Sequence, residues 1–165
     1  DPRLGHGILS IDGAMGEVSE IVTIRVVGTF VLAWLLGSMT GAGLVLRLVT
    51  SLLSVLFGGF TVFGGWLMTP LMVGVVGVTQ SPLWLSALIP FLLALLLMPH
   101  RWFRPIIFAF CVGVGLHLLQ GATSGSLSPT WLGPYGGLWL TINGCLTLMI
   151  GVAVMGLHAA SKEGQ

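Results

Sequence analysis

Residues 138–157 read LWLTINGCLTLMIGVAVMGL, twenty positions without one charged side chain. As an α-helix they rise about 30 Å, the thickness of a bilayer's hydrocarbon core. The stretch does not alternate apolar and polar residues, as a strand of a membrane β-barrel would. It is therefore predicted to be a membrane-spanning helix, and the rest of the chain supports that scale. Of 165 residues, 55% are hydrophobic and 7% charged, against about 25% charged in an ordinary soluble domain. Mean hydropathy is +1.04. Six basic and five acidic residues are too few to clothe a soluble surface of this length. The expected class is all-α, an integral membrane protein of about five helices with one broken or re-entrant segment between Pro70 and Pro82.

Working back from residue 138, residues 121–137 form a polar loop rich in Gly, Ser and Pro, containing Trp131 and Tyr135. Residues 106–120 are the fourth predicted span, opened by Pro105, which suits the first turn of a helix. The loop His100-Arg101-Trp102-Phe103-Arg104 is the most basic in the chain. Residues 83–98 are a short third span, interrupted at Pro90. Residues 48–78 are too long for one straight helix across the core. Pro70 removes a backbone donor and crowds the preceding turn, so the second span is predicted over residues 48–68, with Trp66 at the interface and residues 70–78 a separate piece. Residues 21–40 are the first span, with Arg25 one turn inside it.

Residues 1–20 hold four of the five acids, Asp1, Asp12, Glu17 and Glu20, and the glycines Gly5, Gly7, Gly13 and Gly16. Gly disfavours helix, so this is read as an extramembrane arm without a stable helix. Residues 21–158 form the transmembrane domain and 159–165 a tail. Five spans put Arg47, Arg101, Arg104 and Lys162 on one side and Arg3 and Arg25 on the other. The larger group marks the cytoplasmic face, leaving the amino terminus outside a bacterial inner membrane. A first residue of Asp fits either a removed leader or a sequence that simply starts there.

Several function classes lose support at once. A net charge of +1 leaves no basic stripe for nucleic acid. Cys111 and Cys145 lie in apolar runs, without the spacing of a zinc site. There is no phosphate-binding GxxxxGK[ST] loop, HExxH or GxSxG, and no paired carboxylates. No Asp or Glu lies between Glu20 and Glu163, whereas ion-coupled transporters usually keep a carboxylate at depth.

Histidine and small residues remain. His117 is the histidine well inside a span. It could ligate a single haem or chlorophyll-type pigment, a cofactor role that is open but not favoured, or donate a hydrogen bond to another helix. His100 and His158 close the cytoplasmic ends of the third and fifth spans and could meet and bind metal. Asn143 is an amide at membrane depth and needs a partner on a neighbouring helix. Gly37 and Gly41 form a GxxxG. Gly58, Gly59, Gly64 and Gly65 line the second span, and Ala109 and Gly113 lie four apart in the fourth. These positions are read as helix-packing faces, with the Gly37/Gly41 face the first choice for contact with another chain. Arg101, Trp102 and Arg104 are read as a lipid or partner interface. The leading expectation is a non-catalytic subunit of a larger membrane complex, with other integral subunits and the bilayer as partners. The alternatives are a small oligomeric transporter or channel, and a cofactor-carrying or enzyme subunit using His117.

Overall fold

The computed structural model describes residues 11–71, 86–124 and 130–163, with side chains over 23–58, 86–124 and 132–161. Its elements are α1 (Ile11–Met39), α2 (Leu44–Leu71), α3 (Leu88–Leu97), α4 (Arg104–Ser124), a short 3-10 segment (Thr130–Tyr135) and α5 (Gly136–Glu163). No strand occurs among the described residues.

Local chemistry sets the helix ends. At the end of α1 the Gly41 N–H donates to the Ser38 carbonyl at 3.2 Å and the Ala42 N–H to the Gly37 carbonyl at 3.3 Å. Gly41 stands at φ +70°. This is a Schellman motif, in which a left-handed residue lets the last carbonyls of a helix find donors. Gly41 thus makes the tight reversal that Gly41 and Gly43 permit after the first span, and is not half of a helical GxxxG face. Pro90 is also corrected. It is the third residue of α3, where a missing N–H costs nothing because the first turn has no intrahelical acceptor for it. It opens the helix instead of interrupting it. Pro105 does open α4, as its second residue.

Two other boundaries move. Helix α1 begins at Ile11 and runs through Gly13 and Gly16, so residues 11–20 are helical against expectation. Glycine propensity is a weak local cost, and a helix already nucleated extends cheaply. Helix α2 continues through Pro70 to Leu71, past the boundary expected at Met68, and residues 72–82 of the expected broken segment lie outside the described residues.

Among the described residues, two helical stretches are long and apolar enough to cross a membrane, Arg104–Ser124 and Leu132–Ser161. Apolar stretches Thr23–Met39, Leu44–Gly58 and Leu88–Leu97 are shorter. The ten residues of α3 rise only about 15 Å, half of a hydrocarbon core, so this helix by itself is not the third span expected over 83–98.

Helix α4 is the centre of the bundle, packing against α1, α2, α3 and α5. Its Ile107, Phe108, Ala109, Cys111, Val112, Gly113, Val114, Gly115 and Leu118 are buried. Ala33, Ala42, Phe108, Val112 and Met155 form one core cluster. That cluster brings the end of α1, the start of α2, the start of α4 and the end of α5 to the same end of the bundle.

Candidate functional site

The polar atoms at the heart of the bundle are few, and helix geometry decides what each can do. Asn143 lies two turns into α5 and is 7% exposed. Its Oδ1 accepts the Ala87 N–H at 2.9 Å, and its Nδ2 donates to the Trp139 carbonyl at 2.9 Å. The first bond crosses 56 residues of sequence and ends on the residue that precedes α3. The Ser86 hydroxyl accepts the Leu88 N–H at 3.3 Å. Between them Asn143 and Ser86 accept the first two N–H groups at the start of α3, those of Ala87 and Leu88. An orphan N–H away from water is costly, so Asn143 fixes where this half-length helix begins.

Beside this contact α3 and α5 enclose an open groove of about 590 Å³, lined by Leu88, Phe91, Trp139, Leu146 and Ile150 with Ser86 and Asn143 at one end. Ser86, Phe91 and Trp139 were not singled out from sequence. Nothing in their spacing signals the groove, which exists only because α3 starts partway along α5. The lining carries no titratable side chain, so its chemistry is shape and apolar contact with two amide or hydroxyl groups.

The small residues are used inside the chain. A Cβ on Gly113 would stand 2.5 Å from the Ser54 carbonyl oxygen and 2.8 Å from the Gly58 nitrogen. Gly113 and Gly58 therefore mark the crossing of α2 and α4. On α5 a Cβ at Gly144 would meet the Gly115 oxygen at 2.9 Å, one at Gly151 the Phe108 oxygen at 3.5 Å, and one at Gly137 the Ala122 oxygen at 3.8 Å. Each step of seven along α5 is matched by seven back along α4, the register of an antiparallel coiled coil. Gly144 and Gly151 were missed because the sequence was searched for four-residue spacing. Their seven-residue spacing was the available signal. A Cβ on Gly37 would stand 3.5 Å from Cγ of the Arg47 side chain. The first-choice contact face is thus partly covered by α2 of the same chain. Ala109 is fully buried on α4. Gly59, Gly64 and Gly65 lie on α2, where their surroundings are outside the described residues.

Buried hydroxyls bond their own helices. Thr50 donates to the Leu46 carbonyl at 2.8 Å, Ser54 to Thr50 at 2.8 Å and Thr147 to Asn143 at 2.7 Å. Ser51 Oγ is buried with no hydrogen-bond partner among the described residues.

Arg104, read from sequence as part of a lipid or partner interface, is bonded within the chain. Its Nε donates to the Met98 carbonyl at 2.9 Å, and its Nη1 donates to the Leu157 carbonyl at 3.1 Å and to Ser161 Oγ at 3.2 Å. The guanidinium fork joins the end of α3 to the last turns of α5, where a cation also suits the negative helix end. Arg101 and Trp102 are exposed, Trp102 by 90%. His117 is half-buried on α4 and does not line the groove. His100 packs edge-on against Phe103 with ring centres 6.1 Å apart. Among the described residues no three His, Cys, Asp or Glu come together as a metal site. The chain matches no family model, no curated protein and no solved structure.

Proposed function

We propose that this chain is a non-catalytic integral subunit of a larger membrane assembly, with five membrane passages, its amino terminus outside and its tail in the cytoplasm of a bacterial cell. The observation that supports it best is helix α4. Its buried positions are apolar or small, and its neighbours approach to backbone contact at Gly113 and Gly115. The interior is spent on packing. Association in lipid comes from close packing and cross-helix bonds, because lipid tails compete equally for apolar side chains. What the chain offers a partner is therefore shape. The groove between α3 and α5 supplies it, next to the outward-facing Leu88, Phe91, Leu92, Leu95 and Leu96 of α3. Gentle extraction from native membranes followed by native mass spectrometry tests the reading. Partner subunits should travel with the chain.

One observation favours a second reading, a small oligomeric transporter or channel. Helix α3 begins against Asn143, well inside the length of α5. Discontinuous helices that start at membrane depth build substrate sites in secondary transporters. Solute flux into vesicles that contain the purified chain alone would favour this reading over the first.

A further inference from the structure

The turn between α3 and α4 presents an indole in a way its neighbours do not require. Trp102 is 90% exposed, yet the turn that carries it is closed by hydrogen bonds. The His100 N–H donates to the Leu97 carbonyl at 3.0 Å and the Phe103 N–H to the His100 carbonyl at 3.0 Å. The His100 and Phe103 rings meet edge to face at 6.1 Å, and Arg104 holds Met98 from the other side at 2.9 Å. Trp102 is thus displayed on a preformed turn. Its location is specific too. The turn caps two apolar helices at the end where the Ala33–Ala42–Phe108–Met155 cluster gathers α1, α2, α4 and α5. The sequence puts Arg47, Arg101, Arg104 and Lys162 at that end against one acid, Glu163, and of these Arg101 is exposed beside Trp102.

We propose that residues 99–103 form a preformed anchor for an anionic phospholipid surface, with the Trp102 indole seated at headgroup level and Arg101 beside it facing lipid phosphate. Indole rings settle where an apolar body and a polar N–H are both satisfied, at the membrane interface. Basic side chains near that level gain from anionic headgroups. Charge complementarity selects lipid as the occupant, and the position of the turn at the end of two apolar helices puts it at the height of the headgroups. This inference rests on the membrane reading above.

The full chain is reconstituted in vesicles of phosphatidylcholine, with and without phosphatidylglycerol. Trp102 emission is isolated as the difference between the wild-type and Trp102→Phe spectra. Its emission should shift to the blue, and lipids brominated near the glycerol should quench it more than lipids brominated at the chain ends. Phosphatidylglycerol should lower its quenching by aqueous acrylamide, and Arg101→Gln should reduce that protection. A Trp102 quenched equally by acrylamide in both vesicle types, or left protected to the same degree by Arg101→Gln, overturns the anchor while leaving the membrane reading intact. A chain stripped from both vesicle types by alkaline carbonate instead overturns the membrane reading itself, and the anchor with it.

Discussion

Gly144 of α5 lies against Gly115 of α4 so closely that a Cβ on either would come within about 3 Å of the other's carbonyl oxygen, 2.9 Å from Gly144 and 3.0 Å from Gly115. Two helices at that separation leave no room for a methyl group unless one of them moves. The same holds where Gly113 crosses α2. Adding a group to a packed interface typically costs about 1–3 kcal/mol. Gly113→Ala and Gly144→Ala should each lower stability by that order, read by steric-trapping or detergent unfolding. Gly28→Ala is the control. No atom lies within 4 Å of the Cβ it would carry, so it should be neutral or mildly stabilising through helix propensity.

Asn143 should report on α3 specifically. Asn143→Leu removes the acceptor of the Ala87 N–H and leaves that donor unpaired. Cross-helix bonds in lipid are worth about 0.6–1.7 kcal/mol, and the global loss should fall in that range. The local effect should be larger. Amide exchange at Ala87 and Leu88 should accelerate, while amides in the centre of α4 keep their protection. Unchanged exchange at Ala87 would show that Asn143 does not fix the start of this helix.

Arg104 makes three bonds that no lysine can reproduce. An ammonium lacks the planar fork that reaches the Met98 and Leu157 carbonyls and Ser161 Oγ together. Arg104→Lys should therefore keep the charge and lose most of the clamp. The expected result is faster amide exchange across residues 98–103 and in the last turns of α5. A pure topology anchor would be indifferent to this exchange of cations, so equal protection in the two proteins would refute the clamp.

Ser51 offers a test in the opposite direction. Its buried hydroxyl has no partner among the described residues, and an unpaired buried polar group carries a desolvation cost of about 1–3 kcal/mol. Ser51→Ala removes the cost and fits the same space. It should leave stability unchanged or raise it by as much as about 1 kcal/mol. Ser54→Ala, which breaks the bond to Thr50, should not stabilise.

Much of this arrangement was written in the apolar runs. Helices Arg104–Ser124 and Gly136–Glu163 enclose the stretches read from residues 106–120 and 138–157, because hydropathy over twenty positions does not depend on neighbours. Partner choice does depend on them. Gly37 and Gly41 have the four-residue spacing of a helix contact, yet Gly41 closes a Schellman turn. Gly beside Thr40 and Gly43, at the end of an apolar run, is equally a helix stop signal. The register of α4 on α5 was present as glycines seven apart, a period that becomes informative only once the two helices are known to be antiparallel neighbours. The buried amide of Asn143 was visible as a residue in need of a partner. Its partner, a backbone N–H on a helix of half length, was not, because no side-chain pattern marks where α3 begins.

The central claim is that the chain works as a subunit of a larger membrane assembly, and the mass of the particle it occupies tests that most directly. The chain is to be extracted from its native membrane in mild detergent and weighed by native mass spectrometry. Other integral subunits should be bound to it at fixed stoichiometry, and bulky substitutions of Leu146 or Phe91 in the groove between α3 and α5 should release it still membrane-inserted. A chain that is found alone, and that stays a stable monomer in detergent and in its own membrane, would contradict the claim.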